Sequence, residues 1–431
     1  MASTSLNLFD SAHLRDPYPA YAALREMGPA VRLITQGVWA IPRFEDVRAV
    51  FHDRQHFVSD GIALTDLANR EILAGSVFSS DGDQHVRLRR VLSQPLTARS
   101  VKRLDEELRM RAGRLVEEHV ECGSGVFDAA ALSRQMAGDT VMRLMGLPEE
   151  VWPQLGRRTA AVYDVCGPDG PRYQQALPLA TAIVPFLRDA VTRDAVAEDS
   201  WLEAIFRAVD GGELDASEAI PLASAYAVAA MDTTVLGLTE AIRQLAHHPK
   251  QWAALRQDTS LAENAIHEAL RREAPVQGFG RLVAEKVRLG DTWIEAGEQV
   301  WLLYGSTGRD TDKWGIAADT YNIRRPNARD HLAFGAGRHM CAGIPLALMQ
   351  ARALLGALAS RCARLAPAGE PNRVLNNLLR GWSRVPIAAQ LAVPSSHPGR
   401  PTMSIAEGFD VAPESEDFPA VRSSAAARER G

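Results

Sequence analysis

The sequence has few cysteines and no excess of charge of one sign. Its four cysteines, Cys122, Cys166, Cys341 and Cys362, include no C-x-x-C pair. So small and scattered a set excludes a disulfide framework and offers no zinc-binding spacing. The 48 Lys and Arg residues are balanced by 53 Asp and Glu residues, and a net charge of −5 gives no global basic surface for nucleic acid. With 46% hydrophobic residues the chain is neither disordered nor fibrous, so we expect a reduced, cytoplasmic globular protein.

Long uncharged apolar runs are also missing. Residues 1–30 contain acids and prolines where a signal peptide would need an apolar stretch. The most apolar segment, Pro221–Leu238, carries Asp232, Thr233 and Thr234 near its end. A charged group there is costly in lipid, and the segment is short for a span. We expect no membrane anchor and interpret the segment as a buried helix of a large core.

Hydrophobic periodicity predicts a mostly α protein with small β-sheets. The predicted helices are Phe44–His52, Lys102–His119, a central Ala219–His248, Ser260–Glu273 and a last long helix, Pro345–Leu365. The predicted strands are Ala30–Ile34, Val38–Ile41, Trp293–Ile294 and Gln299–Tyr304. From about Pro394 the composition shifts to Pro, Ser, Ala and charge, which predicts one domain over 1–393 and a weakly ordered tail over 394–431.

The most informative segment is a glycine-rich loop that ends in a cysteine. Its pattern is F-G-x-G-x-H-x-C-x-G, formed by Phe334, Gly335, Gly337, His339, Cys341 and Gly343. Glycines let such a loop approach a flat ligand closely. Pro345 marks the first turn of the helix that follows, and a thiolate at a helix N-terminus is expected to have a lowered pKa. Such a thiolate can ligate haem iron, whereas the alternative is a buried structural cysteine.

This pattern resembles the haem-binding motif of the cytochrome P450 superfamily, and other motifs follow in the same chain order. Glu268 and Arg271 form the E-x-x-R pair of the family, on one helix face. Arg325 occupies the place of the third partner, with Arg324 as a competitor, while the alternative is an exposed helix ion pair. The resemblance runs from about Asp16 to Leu391 and implies the fold of the family, a triangular helical body around a buried haem.

The central helix carries Ala229-Ala230-Met231-Asp232-Thr233-Thr234, which resembles the A-G-x-D-T-T motif of the family. By this resemblance Asp232 and Thr233 are catalytic and deliver protons as the O–O bond of dioxygen breaks. The alternative is a threonine bonded back to its own helix, with Asp232 as a solvated neighbour. Ala230 replaces the usual glycine, and its methyl group would narrow the oxygen-binding groove or shift the helix bend.

The resemblance also assigns contacts to the haem propionates. His85 and Arg89 stand at i and i+4 in an H-x-x-x-R pair, and Arg281 and His339 match the other propionate contacts. Arginine suits carboxylates through its bidentate geometry. Each residue alone is also consistent with an ordinary surface charge. Together they predict one cofactor, haem b, with Cys341 as the axial thiolate.

The implied activity is that of a soluble bacterial monooxygenase that uses dioxygen and two external electrons. No flavin or nicotinamide motif follows the haem domain, so we expect a separate ferredoxin-type donor with its reductase. A basic patch for that donor would consist of Arg87, Arg90, Arg99, Lys102, Arg103 and Arg338. A scattered solvated face is an equally good interpretation. The family default is a monomer.

Two resemblances concern the substrate. Residues 376–382 are similar to the C-terminal turn of P450s that demethylate methoxybenzoates, and residues 303–306 and 331–343 to those that demethylate guaiacol. Ser224 and Ala225 stand where the benzoate group has a basic residue, and an unpaired buried carboxylate is costly. We therefore favour oxidative O-demethylation of a small neutral methoxylated aromatic. The alternatives are a methoxybenzoate, another small apolar molecule such as a terpenoid, or a haem-thiolate peroxygenase, against which Asp232 and Thr233 argue.

Five residues are predicted to line the substrate pocket, with the loop Ser59–Ser80 as its lid: Val228, Ala229, Val276, Phe279 and Trp382. Plain core packing is the alternative for each of them. A haem sensor is disfavoured because no output domain is recognisable. A redox-inert scaffold would leave the cysteine loop, the ion pair and the acid–alcohol pair unexplained.

Overall fold

The computed structural model describes residues 2–392. The predicted tail, 394–431, lies outside the described residues. The α-helices, in chain order, are α1 (Ser11–Arg15), α2 (Tyr18–Met27), α3 (Phe44–His52), α4 (Gly82–Ser93), α5 (Ala98–Lys102), α6 (Asp105–Val116), α7 (Ala129–Ser133), α8 (Asp139–Met145), α9 (Trp152–Val165), α10 (Pro171–Thr181), α11 (Ile183–Ala190), α12 (Trp201–Asp210), α13 (Ala219–His247), α14 (Pro249–Gln257), α15 (Ala262–Arg272), α16 (Tyr304–Thr307), α17 (Thr311–Trp314) and α18 (Ile344–Arg361). Helix is therefore the main element of the described chain, as predicted.

The strands form small sheets at the edges of the helical body. They are β1 (Ser3–Thr4), β2 (Val31–Leu33), β3 (Val38–Ile41), β4 (Phe57–Val58), β5 (Val126–Asp128), β6 (Gly278–Val283), β7 (Val287–Leu289), β8 (Thr292–Ile294), β9 (Gln299–Leu303), β10 (Cys362–Pro367), β11 (Asn372–Arg373), β12 (Trp382–Arg384) and β13 (Pro386–Leu391). The largest sheet has the order β1-β2-β3-β9-β6-β4, and β10-β13-β5 form a second. In the largest sheet β9 pairs parallel with β3 and antiparallel with β6.

Helix α13 runs through the centre of the body. A 3-10 turn over Ala216–Glu218 leads into it, and a capping box formed by Asp215 and Glu218 satisfies free N–H groups of that turn. Residues 216–247 are long and apolar enough to cross a membrane, since they contain an 18-residue stretch with a mean hydropathy of 1.4, but 56% of that stretch is buried inside the protein. Neighbouring helices pack on it from several sides, and α13 therefore serves as the core helix.

Most predicted elements are confirmed, and two boundaries are wrong. The predicted helix over 102–119 is divided between α5, α6 and a π-helical turn over Glu117–Glu121. Helix α6 begins anew with three acids, which favour a helix N-terminus. Helix α18 ends at Arg361 rather than Leu365, because Cys362 adopts an extended conformation and pairs with Leu391 of β13. Strand β6, which pairs with β9, was not predicted because glycines interrupt its pattern.

Candidate active site

A cavity of about 250 Å³ lies against α13 and contains most of the predicted site residues. Most of its lining is apolar. Phe334, Gly335, His339, Cys341 and Gly343 of the cysteine loop line it on one side. We use "cysteine loop" for residues 334–343 and "lid segment" for residues 59–80. The lid segment contributes Ile62, Leu73, Val77 and Phe78.

The backbone of the cysteine loop requires glycine at two positions. Gly335 and Gly337 have φ angles of +67° and +65°, which favour glycine. At Gly337 a Cβ atom would lie 2.5 Å from the carbonyl oxygen of Phe51, so a side chain there would displace α3. The N–H of Cys341 donates to the carbonyl of Phe334 at 2.9 Å, and the N–H of Gly343 points at Cys341 Sγ at 3.3 Å. These contacts hold the sulfur at the cavity surface, just before α18.

The expected lowering of the Cys341 pKa is wrong. The N–H groups of Gly343 and Ile344 and the charge of Arg89 do favour the thiolate, but burial outweighs them and raises the pKa of the thiol. The side chain of Cys341 is exposed to the cavity, and the protein atoms packed around it disfavour the charged form. Cys166, also on the cavity wall, has its pKa raised by burial to about 12.

The cations predicted for an anionic cofactor converge on the same cavity. Arg89, Arg281 and His339 line it, and the ring of His85 lies 4.2 Å from that of His339. Arg89 donates to the carbonyl of Met340, and Arg281 donates to the carbonyl of Gly280 at 2.7 Å. His85 Nε2 is buried without a partner among the described residues. Burial lowers the pKa of His85 to about 4, so this side chain is a neutral hydrogen-bonding group rather than a cation.

The positions of the acid and alcohols of α13 agree in part with proton delivery and in part with a threonine bonded back to its own helix. Thr233 Oγ1 donates to the carbonyl of Ala229 at 2.8 Å, so this hydroxyl does bond back to its own helix. Thr233 and Thr234 both line the cavity. Asp232 does not line it and is partly buried, with its Oδ2 3.5 Å from Thr159 Oγ1 of α9. Burial raises the pKa of Asp232, and the charge of Arg134 opposes the shift only in part.

The predicted ion triplet is assembled and fully enclosed. Arg271 donates to Glu268 through Nε at 2.7 Å and Nη2 at 2.9 Å, and Arg325 Nε lies 3.0 Å from Glu268 Oε1. The Glu268 and Arg271 side chains are 0% exposed, so the exposed-pair alternative is wrong. Arg324, the competitor, is exposed. The remaining Arg271 donors bond the carbonyls of Gly308, Ala318 and Thr320 of the segment between β9 and the cysteine loop.

Four of the five predicted pocket residues line the cavity, and Trp382 does not. Val228, Ala229, Val276 and Phe279 contribute to the wall. Trp382 instead donates to Glu240 Oε2 at 2.8 Å, with Arg373 3.5 Å and Arg243 5.1 Å from its ring centre. The apolar character of Trp382 predicted a pocket role. Its indole N–H instead binds an acid, and two arginines stack on its ring, all of them distant in the chain. Sequence reasoning missed Tyr163, a wall residue whose hydroxyl donates to Val228 at 3.0 Å, because no local pattern distinguishes it from core.

Half of the six residues of the predicted basic patch are paired with acids. Three of its members form ion pairs: Arg87 with Glu218 at 2.6 Å, Arg90 with Glu213 at 3.1 Å and Arg338 with Asp81 at 3.2 Å. Within residues 2–392, Arg99, Lys102 and Arg103 are exposed and form no ion pair. The positive charge that remains is concentrated around α5.

Comparisons with known proteins agree with this geometry. A family model described as Cytochrome P450 matches residues 194–384. Cytochrome P450 CYP199A2 of Rhodopseudomonas palustris is 33% identical over 378 residues, covering 87% of this chain and 91% of the relative. Monooxygenase PikC of Streptomyces venezuelae is 32% identical over 390 residues, covering 86% and 91%. The structure of cytochrome P450 CYP109Q5 from Chondromyces apiculatus has a TM-score of 0.76 at 26% identity, covering 91% of this chain and 99% of that chain. The chain therefore belongs to the cytochrome P450 family, and it is a haem-thiolate monooxygenase whose iron is ligated by a cysteine.

Proposed function

We propose that this monooxygenase removes the methyl group of a small, neutral methoxylated aromatic compound such as guaiacol or syringol. The observation that carries the proposal is the charge of the cavity wall. Among its described residues the arginines are Arg89 and Arg281, and both are proposed below to contact the cofactor. Ala225 lines the cavity on α13, and buried Ser224 does not reach it. A benzoate carboxylate would therefore be buried without a cation, which costs several kcal/mol.

The cofactor contacts are proposed residue by residue. Cys341 would hold the iron through its sulfur, and Arg89, Arg281, His339 and His85 would hold the propionates. The residues fit this group for three reasons. Gly335 and Gly337 have positive φ angles, Arg89, Arg281 and His339 line one cavity, and buried His85 Nε2 has no hydrogen-bond partner among the described residues. Bound haem supplies the activation of dioxygen and the oxidation of the substrate C–H bond.

Glu268, Arg271 and Arg325 support the cysteine loop from behind in this proposal. Arg271 donates to the carbonyls of Gly308, Ala318 and Thr320, which lie between β9 and the loop. Phe334 packs against His267 and His331, which extend this contact from α15 to the loop itself. The triplet thereby limits the movement of Cys341.

Asp232 and Thr233 are proposed to deliver protons. The raised pKa of Asp232 keeps its carboxyl group protonated to higher pH than an exposed aspartate, so it can donate a proton. Thr233 lines the cavity, and its hydroxyl can accept a hydrogen bond while it donates to the carbonyl of Ala229. Ala230 lies between Ala229 and Thr233 on α13, and it also lines the cavity.

The reaction balances as an ordinary monooxygenation. One oxygen atom of dioxygen enters a C–H bond of the methoxy group, and the other leaves as water with two external electrons and two protons. The resulting hemiacetal breaks to a phenol and formaldehyde. The electrons come from a redox partner, which we propose to be a ferredoxin-type protein served by its own reductase. Exposed Arg99, Lys102 and Arg103 offer positive charge to an acidic donor.

The proposal is tested by optical titration of the ferric holoenzyme with guaiacol, syringol, 4-methoxybenzoate and a monoterpene. Displacement of the water on the iron gives a low- to high-spin shift and a dissociation constant together. We expect shifts with the two phenols and none with the benzoate. A shift with the benzoate alone would contradict the charge argument. A shift with the terpene alone would favour hydroxylation of another apolar molecule, and demethylation driven by hydrogen peroxide alone would favour a peroxygenase.

A further inference from the structure

Asp81 closes a ring of hydrogen bonds between the lid segment and the cysteine loop. Its carboxylate accepts the backbone N–H of Ser59 at 2.6 Å and the Ser59 hydroxyl at 3.2 Å. Arg338 Nη1 donates to the same carboxylate at 3.2 Å. His339 Nε2 lies 2.9 Å from Ser59 Oγ and 3.4 Å from Asp81 Oδ1. One acid thus contacts the first residue of the lid segment and two residues of the cysteine loop.

The position of Asp81 in the chain makes this arrangement unusual. Asp81 is the N-cap residue of α4, where an aspartate ordinarily accepts a hydrogen bond from the first turn of its own helix. Its side chain makes no such bond here. Gly82, the first residue of α4, has a φ angle of +57°, which turns the chain sharply directly after Asp81. The carboxylate is therefore used for long-range contacts to residues some twenty and more than two hundred and fifty positions away.

These contacts join two walls of the cavity. On the lid side, Ile62, Leu73, Val77 and Phe78 face the space proposed for the substrate. On the other side, His339 faces the space proposed for the cofactor. Asp81 follows directly on the lid segment and binds its first residue, so it fixes both ends of that loop at one point. Movement of this point displaces the lid segment and the imidazole of His339 together.

We propose that Asp81 is a positioning residue that couples closure of the lid segment to the orientation of His339 toward the haem. The proposal rests on the haem contact proposed for His339 and is independent of the substrate. A purely local role for Asp81 would stabilise the start of α4 without linking the two walls. If Asp81 couples the two walls, a substitution on one wall changes a property measured on the other, which we call a cross effect. A purely local role of Asp81 predicts no cross effect through this residue.

The experiment compares holoenzyme variants by two measurements. The first is the rate of haem transfer to excess apomyoglobin, and the second is hydrogen exchange of the amides in the lid segment. For Asp81→Asn we expect haem release and lid exchange both to accelerate roughly tenfold, because charge-assisted hydrogen bonds are lost on both sides. Asp83→Asn is the matched control, since Asp83 is an exposed acid in the first turn of the same helix. It should match the wild type in both measurements.

Two further variants test the coupling and remain informative should Asp81→Asn fold poorly. Ser59→Ala removes the lid-side hydroxyl that contacts both Asp81 and His339, and we expect it to accelerate haem release severalfold. His339→Gln removes the imidazole that contacts both Ser59 and Asp81, and we expect it to accelerate exchange in the lid segment severalfold. In the Asp81→Asn background each cross effect should shrink to the part that the direct contact between Ser59 and His339 carries. Undiminished cross effects there, or an Asp81→Asn variant that behaves like Asp83→Asn, would overturn the proposal.

The same two measurements, haem release and hydrogen exchange, test the haem contact of His339 separately. His339→Gln with unchanged haem release but faster lid exchange would contradict that contact, and the coupling through His339 would fail with it. Faster haem release without any change in lid exchange would contradict the coupling and leave the contact standing.

Discussion

The two sides of the cavity treat buried acids in opposite ways. Behind the cysteine loop, Glu268 is fully buried and lies between the guanidinium groups of Arg271 and Arg325. On the side of α9 and α13, Asp164 and Asp232 have amide or hydroxyl partners and no arginine or lysine at ion-pair distance among the described residues. Burial raises the pKa of both, that of Asp164 to about 6. One region holds fixed charge, and the other holds acids whose pKa values are raised by burial.

This difference separates two tasks. A buried ion pair with all its donors satisfied is costly to break, so it holds one geometry, which suits the support of a metal ligand. An acid without a cation changes its protonation state readily, which suits proton delivery. The predictions below alter one side or the other, from the largest expected effect to the smallest.

Loss of the cysteine ligand should have the largest effect. In Cys341→Ala we expect no thiolate-type absorption band in the reduced carbon monoxide complex and no monooxygenase activity, because none of the other cysteines of the described chain lies in the cysteine loop. Cys122→Ala, at an exposed position outside the cavity lining, is the control and should keep both properties. A retained thiolate band in Cys341→Ala would refute the ligand assignment.

Breaking the ion triplet should cost the most stability. Glu268→Gln leaves Arg271 and Arg325 buried without a counter-charge, and we expect a loss of about 3–5 kcal/mol in the free energy of unfolding. Glu263→Gln, on the same helix, breaks an exposed pair with Arg352 and should cost about 1 kcal/mol or less. Urea unfolding of the two holoenzymes measures the difference. Equal losses would show that burial of the triplet has no special role.

On the other side, replacing an unpaired acid should stabilise the protein. The raised pKa of Asp164 means that the folded chain binds this proton more tightly than the unfolded chain, so stability falls as the pH rises from about 4 to about 6. Asp164→Asn removes this loss, while its amide oxygen still accepts the N–H of Asn377. We expect a gain of about 2 kcal/mol at pH 7 and little change at pH 4. The exposed Asp169→Asn is the control, and a gain that is independent of pH would argue against this origin.

The smallest change in energy should come from Thr233, the alcohol proposed to deliver protons. Thr233→Ala should raise the hydrogen peroxide released per electron pair severalfold, because protons then reach the oxygen less directly. Thr239→Ala is a matched control on the same helix, since Thr239 donates to Val235 in the same way but is buried and does not line the cavity. The ratio of peroxide to consumed electrons is the measurement. An unchanged ratio in Thr233→Ala would remove this residue from the proton path.

Features with a short spacing in the chain were predictable. The glycines and Cys341 stand within one loop, Glu268 and Arg271 stand one helical turn apart, and α13 is marked by its length and apolar content. The loop conformation follows from residues that permit positive φ, and the helical pair follows from the helical repeat. The order of these motifs along the chain was enough to identify the family and its fold class.

What only the tertiary structure decided depends on burial and on partners distant in the chain. Burial reverses the expected direction of the Cys341 pKa and keeps the pKa of His85 low. Trp382 is drawn to Glu240 and two arginines rather than to the cavity, and Arg325 rather than Arg324 reaches Glu268. The contacts of Asp81 with Ser59 and His339 join segments that no local pattern relates. The sequence alone thus determined the identity of the chemical groups, whereas their protonation and pairing depend on desolvation and long-range packing, which only the folded chain supplies.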